Sequence, residues 1–170
     1  MASVVALVLS AVLVGIDQLI KLWAQDVLSK AGTIPLIEGV LHLTYAENRG
    51  AAFNILQNQR WLLVGVTFVV LLFLVLLIIK KSFPDIMATL ALSLIVGGGF
   101  GNLIDRFFRH YVIDYVDFRL INFAIFNFAD TCVVCGTILL LIYLLFIHKQ
   151  EPKEQSKPFE MSGEASDHHE

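Results

Sequence analysis

Two sequence signatures of hydrolases are missing from this chain. It contains no G-x-S-x-G segment and no H-E-x-x-H segment, so neither a nucleophile elbow nor a zinc-peptidase helix is indicated. Cysteine is scarce as well, and Cys132 and Cys135 form a lone C-x-x-C inside an apolar run. Without a second cysteine pair, packing explains them better than metal binding. The five histidines form no ligand pattern, and we predict neither a metal nor a cofactor.

Charge is also sparse along the chain. Only 16% of the 170 residues are charged, whereas 57% are apolar, which is too apolar for an ordinary soluble domain. A helix of about 20 apolar residues crosses the hydrocarbon layer of a bilayer. Four transmembrane helices are therefore predicted, over residues 4–23, 61–79, 86–104 and 130–147. The first stretch has no Lys or Arg before Lys21 and no clear cleavage site, which favours a span over a cleaved signal peptide.

The connections between the predicted spans differ in length. By hairpin parity, residues 24–60 and 106–127 share one side of the membrane, and the short turn and both termini share the other. Alternating β-favouring residues over 40–45 and a β-prone run over 111–118 predict a small strand-rich platform on the membrane surface. The number of Lys and Arg residues does not decide which side is cytoplasmic.

The polar end of the chain has a different character from the rest. Residues 149–170 mix both charge signs, with an acidic excess and two prolines. Such a segment buries too little apolar surface to fold, so it is predicted to be a disordered tail. The preceding residues 1–148 then form the membrane domain.

Four aspartates lie in or beside the apolar runs: Asp17, Asp105, Asp114 and Asp130. An aspartate at the centre of a bilayer costs about 2.5–3.5 kcal/mol on insertion scales, so such residues usually face the protein interior and serve a function. Two carboxylates close together in a partly apolar site cannot both ionise. Such a pair offers a base that activates water and an acid that protonates a leaving group. The sequence therefore predicts acid chemistry near one membrane interface.

Each aspartate also has a structural explanation. Asn127 is a good N-cap for the fourth span, with Asp130 at the position that completes a capping box. Asp105 follows a glycine-rich stretch that permits close helix packing, and the adjacent Arg106 is expected to hold it ionised. Asp114 and Asp117 both lie on an apolar segment. Spacing alone leaves open which of these carboxylates react.

Five blocks along the chain resemble the lipoprotein signal peptidase (signal peptidase II) family of bacterial membrane aspartic peptidases. The matching blocks, in order, are Asp17-Gln18-Leu19-Ile20-Lys21, Asn48-Arg49-Gly50-Ala51-Ala52-Phe53, Gly97 to Arg106, Val112-Ile113-Asp114 and Phe126-Asn127-Phe128-Ala129-Asp130. Each block is weak alone, but the ordered set is specific and covers about residues 10–147.

The resemblance implies four membrane helices, an extracytoplasmic β-rich cradle and cytoplasmic termini in the bacterial inner membrane. It implies that Asp114 and Asp130 are catalytic. The substrate would be a prolipoprotein carrying diacylglycerol on a cysteine, cut just before that cysteine by a monomer surrounded by lipid, with no role for nucleic acid. Residues expected to bind substrate or support the site are Asn48, Gly50, Asn102, Arg106 and Asn127. Residues expected to be structural are Asp17, Lys21 and Asp105.

Two other functions remain compatible with intramembrane acids. A proton-coupled small transporter also uses buried carboxylates, but here the acids gather at one interface, and the second and third spans have no ionisable residue at their middle. A non-catalytic assembly factor would tolerate Asn at both Asp114 and Asp130.

Overall fold

Four long helices form most of the protein, which we describe from a computed structural model over residues 2–51, 55–80 and 85–147. The helices are α1 (Ala2–Ala31), α2 (Arg60–Ile79), α3 (Ile86–Phe108) and α4 (Phe128–Ile142), the last continuing into a π-helical turn, Tyr143–Ile147. All four are long and apolar enough to cross a membrane. The protein is therefore a mainly α, multi-pass membrane protein, as the sequence predicts.

Helix α1 continues well beyond the predicted span. Residues 24–31, expected to begin the first connection, add two helical turns before Gly32 ends the helix with a φ of 76°. These turns are amphipathic: Ala24 and Leu28 are fully buried, whereas Asp26 and Lys30 are exposed. At 1.5 Å per residue the helix is about 45 Å long, which exceeds the hydrocarbon thickness. Its end therefore supports structure outside the membrane.

A three-stranded antiparallel sheet rests on this projecting end. Strands β1 (Thr33–Ile37), β2 (Leu41–Asn48) and β3 (Val112–Phe118) pair in the order β1-β2-β3. The pairing of β2 with β3 confirms that the two predicted strand-forming segments form a small sheet. Ile113 and Tyr115 of β3 are buried with Ala24 and Leu28 of α1. The sheet is thus fixed to the helix bundle through an apolar contact.

Helix α3 occupies the centre of the bundle because its glycines let α1 and α4 approach it closely. A Cβ atom placed on Gly98 would lie 2.3 Å from the Ala129 carbonyl oxygen of α4, and one on Gly101 would lie 2.5 Å from Asp17 Oδ2 of α1. A side chain at position 98 requires the backbone of α4 to move, and one at position 101 displaces the buried Asp17 carboxylate. The predicted role of the glycine-rich stretch in close packing is therefore confirmed.

The edges of the third and fourth spans also differ from the predicted ones. Helix α3 extends four residues beyond the predicted span, through Arg106 to Phe108, and α4 begins two residues before it. The predicted tail, 149–170, lies outside the described residues, as do 52–54 and 81–84.

Candidate active site

Asn127 lies between the two carboxylates that the resemblance selects and contacts both of them. Its side-chain Nδ2 donates a hydrogen bond to Asp114 Oδ1 at 2.6 Å, and its backbone N–H donates to Asp130 Oδ2 at 3.1 Å. Its Oδ1 accepts from the backbone N–H of Asp130 at 2.9 Å, which completes the predicted capping box. Strand β3 and the first turn of α4 therefore meet at one residue, and Asp114 and Asp130 belong to the same site.

Two further amide side chains hold this pair from other elements. Asn48, the last residue of β2, donates through Nδ2 to Asp114 Oδ2 at 3.0 Å. Asn102 of α3 donates through Nδ2 to Asp130 Oδ1 at 2.7 Å. Every carboxylate oxygen of the pair thus accepts a hydrogen bond, and both side chains are fixed in orientation.

The environment of Asp114 shifts its acidity strongly. Burial, followed by the negative charge of Asp130, raises the pKa of Asp114 from 3.8 to about 7, although hydrogen bonds from Asn48 and Asn127 act in the opposite direction. A carboxyl group with a pKa near neutrality can hold a proton while its neighbour is ionised. The site therefore offers an acid and a base side by side.

Asp117, the other acid on β3, has different partners. It accepts hydrogen bonds from Arg119 Nε at 2.8 Å and Thr44 Oγ1 at 2.9 Å. Burial acts to raise the pKa of Asp117, but these two hydrogen bonds, together with the electrostatic effects of Arg119 and His42, lower the pKa below its usual value. This carboxylate is held ionised in a salt bridge with Arg119, so it differs from Asp114 in the property that acid–base chemistry requires.

A buried ionic cluster lies behind the pair and consists of Asp17, Lys21, Asp105 and Arg109. Lys21 Nζ is 2.8 Å from Asp17 Oδ2 and 2.9 Å from Asp105 Oδ2, with no more than 1% of any of these three side chains exposed. Arg109 forms a second ion pair with Asp105. Opposite charges in equal number make the burial of the cluster tolerable, whereas removal of one member would strand a charge.

The expected pairing of Asp105 with Arg106 is wrong. Neighbouring residues on a helix point in directions about 100° apart, and Asp105 instead reaches Lys21 and Arg109, the latter one turn away. Sequence reasoning missed Arg109 and also Gln18, which accepts from Arg109 Nη1 at 2.8 Å. The signal for Arg109 was its i, i+4 spacing from Asp105.

Arg106 points toward the β2 side of the site. Its Nη2 donates to the Gly50 carbonyl oxygen at 3.0 Å, and the Gly50 N–H donates to Asn48 Oδ1 at 2.9 Å. Arg106, Gly50 and Asn48 thus form a connected edge of the site. The end of the predicted 48–53 block, Ala52 and Phe53, lies outside the described residues.

A cavity of about 1260 Å³ opens onto the carboxylate pair. Asp114, Asp130, Asn48 and Arg106 line its polar end. The remaining wall is mostly apolar and comes from α2, α3, α4 and the segment before α4; its members include Val66, Val70, Leu71, Ile95, Phe123, Ile125, Val133 and Val134. An extended molecule with an apolar body and one polar reacting bond matches this division.

Metal-binding chemistry has no support in the described ranges. Across residues 2–51, 55–80 and 85–147, no group of three or more His, Cys, Asp or Glu side chains is arranged to hold a metal ion. Cys132 is buried and Cys135 exposed, and both are free thiols.

Comparison with known proteins finds relatives that share one description, signal peptidase. The family model described as signal peptidase (SPase) II matches residues 9–146. A lipoprotein signal peptidase of Clostridioides difficile (strain 630) is 45% identical over 138 residues, which are 81% of this chain and 93% of that protein. Another, from Halothermothrix orenii, is 46% identical over 129 residues, 76% of this chain and 87% of that protein.

Solved structures agree with the fold. One described as a bacterial membrane enzyme superposes with a TM-score of 0.77 at 29% identity, covering 88% of this chain and 93% of that one. A second with the same description gives a TM-score of 0.75 at 30% identity, covering 84% and 94%.

Proposed function

Because the chain belongs to the signal peptidase II family, we propose that it is an aspartic endopeptidase that removes signal peptides from prolipoproteins. The substrate carries diacylglycerol on a cysteine, and the cut falls immediately before that cysteine. The observation that carries this proposal is the pairing of Asp114 and Asp130 through Asn127 at the polar end of a largely apolar cavity.

Asp114 and Asp130 are the catalytic pair in this proposal and share one proton. The ionised carboxylate, assigned to Asp130, takes a proton from water as the water oxygen attacks the scissile carbonyl carbon. The protonated carboxyl, assigned to Asp114, gives its proton to the carbonyl oxygen. Collapse of the tetrahedral intermediate breaks the C–N bond: the cysteine nitrogen leaves with the proton held by Asp130, and a hydroxyl of the intermediate returns its proton to Asp114. The raised pKa of Asp114 supports this division of roles.

The remaining polar residues support this pair. Asn48, Asn102 and Asn127 orient the carboxylates through the hydrogen bonds described above. Arg106 and the Gly50 carbonyl form the adjoining edge, where a peptide backbone would be held. Asp17, Lys21 and Asp105 serve a structural role in the buried ionic cluster.

The apolar wall of the cavity suits a lipidated substrate. A buried acyl chain contributes about 0.8 kcal/mol per CH₂ group toward staying in an apolar environment, and a signal peptide contributes an apolar helix of its own. The cavity lies between α2 and α4, with residues of α3 between them. Such a position lets the acyl chains and the signal helix remain in the membrane while the bond to be cut reaches the carboxylates.

The proposed orientation places both termini in the cytoplasm and the sheet outside it. The cut in a signal peptide lies at the end that reaches the extracytoplasmic side during export, and the carboxylate pair lies at the end of the bundle that carries the sheet. The enzyme would act as a monomer surrounded by membrane lipid. A cysteine introduced on exposed Leu36 of β1 should react with a membrane-impermeant thiol reagent in intact cells, provided Cys135 is replaced.

The decisive test is incubation of the purified protein with a diacylglyceryl-modified prolipoprotein, followed by mass analysis. Two products are expected: the free signal peptide and a lipoprotein whose first residue is the lipidated cysteine. The same prolipoprotein without diacylglycerol is the matched control and should be cut far more slowly. An intact lipidated substrate, together with proton flux in proteoliposomes, would instead support the transporter.

A further inference from the structure

The Lys21 ammonium group makes one contact more than charge balance requires. Two of its contacts are to the Asp17 and Asp105 carboxylates, which already surround the cation with opposite charge. Its third contact is to a neutral group, the Asn102 side-chain oxygen Oδ1, at 2.8 Å. An ammonium group has three hydrogens, and here each has an acceptor. One of them connects the ionic cluster to the amide that contacts Asp130.

This third contact fixes which end of the Asn102 amide faces Asp130. An ammonium group can only donate, so it requires the amide oxygen to face it. Asn127 Nδ2 also donates to that oxygen at 3.2 Å. The amide nitrogen must then point the other way, where it donates to Asp130 Oδ1 at 2.7 Å. The reversed amide would set N–H against ammonium and oxygen against carboxylate, two repulsive contacts.

We propose that Lys21 is a positioning residue for peptide hydrolysis, which acts through Asn102 to keep an N–H donor on Asp130. The inference rests on the proposed function, since it gives Asp130 the role of base. A donated hydrogen bond favours the charged form of a carboxylate, and it also holds the carboxylate in one rotamer. Lys21 therefore contributes to catalysis without touching substrate.

Several charged or titratable groups surround this chain of contacts. Arg106 of α3 and Asp114 and Tyr115 of β3 interact electrostatically with Asp130. Asp17 of α1 and Asp105 of α3 face Lys21, and Arg109 pairs with Asp105 from the far side. Any change at Lys21 must therefore preserve the charge balance of the cluster if its effect on Asp130 is to be isolated.

The double variant Asp17→Asn/Lys21→Met meets this requirement. It removes one charge of each sign and leaves Asp105 paired with Arg109, and Asn at position 17 keeps an oxygen for the Ala129 N–H that Asp17 now binds. The single variant Asp17→Asn is the matched control, because it retains Lys21 and its contact with Asn102. Melting temperatures and pH profiles of cleavage should be measured for both, together with wild type.

The double variant should lose kcat by about tenfold or more at unchanged KM, as expected when a preorganised donor is lost. The acidic limb of its pH profile should move up by about one unit, because the charged carboxylate has lost a hydrogen bond. The control should keep the wild-type limb even if it melts earlier. A folded double variant with wild-type kcat and pH profile would overturn the inference and leave Lys21 a packing role.

A variant that preserves every member of the ionic cluster covers the case in which the double variant does not fold. Asn102→Asp keeps an oxygen for Lys21 but replaces the N–H that faces Asp130 with a second oxygen. Low kcat with a displaced acidic limb is expected, and wild-type behaviour would again overturn the inference. Failure of the proposed function is distinguishable, because wild type itself would then leave the lipidated prolipoprotein uncut.

Discussion

The Asp17 carboxylate of α1 accepts a hydrogen bond at 3.2 Å from the backbone N–H of Ala129, a residue 112 positions away at the start of α4. The first N–H groups of a helix have no partner within the helix. Asp17 accepts a hydrogen bond from one of them, the buried N–H of Ala129, which directly precedes Asp130. The first helix of the bundle thus fixes the start of the last one, where the proposed base lies.

Substitution of Asp17 should reveal this anchoring. Asp17→Asn retains an acceptor for Ala129 but weakens the contact with Lys21, so we expect a moderate loss of thermal stability. Asp17→Leu removes the acceptor of the Ala129 N–H and one ion-pair partner of Lys21, and its side chain crowds Gly101. We therefore expect the free energy of unfolding to fall by about 3–5 kcal/mol, the usual result of breaking a buried pair. Melting curves in detergent should rank wild type above Asn and Asn above Leu. Equal melting points for the two variants would contradict the anchoring role.

Asp114→Asn and Asp130→Asn should each abolish cleavage while leaving a folded, membrane-inserted protein. Asn preserves size and hydrogen bonding but cannot exchange the proton that acid–base catalysis needs. The double variant should be little worse than either single one, because the pair acts as a unit. Asp117→Asn is the matched control on the same strand and should retain activity. A folded, inactive Asp117→Asn protein beside an active Asp114→Asn one would move the catalytic assignment.

Asp105→Asn should act on stability more than on chemistry. The substitution keeps the ion pair between Lys21 and Asp17. It removes the only acid that contacts Arg109 among the residues that the structure describes. A buried pair broken on one side costs about 3–5 kcal/mol. The melting temperature should fall clearly, while the variant measured below that temperature keeps substantial cleavage. A stable but inactive variant would place Asp105 in the chemistry instead.

The acidity of Asp114 should appear in the pH dependence of folding. Its pKa is about 7 in the folded protein against a usual 3.8, so the folded state binds more protons between these values and stability falls as pH rises through that window. Asp114→Asn lacks this contribution. The melting temperature of the variant relative to wild type should therefore increase from about pH 4 to about pH 7 and then level off. A difference in melting temperature that does not change with pH would show that Asp114 titrates normally.

The pH dependence of cleavage follows from the same pair. A pair that shares one proton loses its acid when that proton dissociates, so kcat/KM should decline above about pH 7. The two apparent pKa values belong to the pair as a unit. An activity that stays constant well above neutral pH would argue against Asp114 as the protonated partner.

Gly101 should tolerate no large side chain. A Cβ atom there already comes within 2.5 Å of Asp17 Oδ2 and 3.3 Å of Ala129 Cβ, so Gly101→Leu would separate α3 from both α1 and α4. Gly65 of α2 has no atom within 4 Å of a Cβ placed on it and is the matched control. Gly101→Leu should lower melting temperature and activity, and Gly65→Leu should change neither. Wild-type behaviour of Gly101→Leu would defeat the close-packing interpretation.

Local rules account for the parts of the site that sequence predicts. The capping box of Asn127 and Asp130 depends on spacing within one turn, and the Asp17–Lys21 pair depends on an i, i+4 relation. The difference between Asp114 and Asp117 lies instead in their hydrogen-bond partners, which are Asn48 and Asn127 for Asp114 and Thr44 and Arg119 for Asp117. Most of those contacts join distant parts of the chain, so residue spacing could not separate the two acids, and only the family resemblance did.

The length of α1 also could not be predicted from the local sequence. Polar residues such as Gln25 and Asp26 end an apolar run, and this ended the predicted span at residue 23. They do not end a helix, however, when one of its faces is covered by another element. Here that cover is β3, whose Ile113 and Tyr115 reach Ala24 and Leu28, and the strand lies far along the chain.

The ionic cluster has a consequence for how the protein enters the membrane. Within α1, Lys21 and Asp17 are one turn apart, and at the end of α3, Asp105 is one turn from Arg109, the C-cap residue of that helix. Each of these two acids can therefore leave the translocon with a cation one turn away on its own segment, which reduces the cost of inserting charge into lipid. The contact between Lys21 and Asp105 forms only when the inserted helices associate. During synthesis each acid thus has a cation partner on its own segment, and the contact between the two helices comes with assembly.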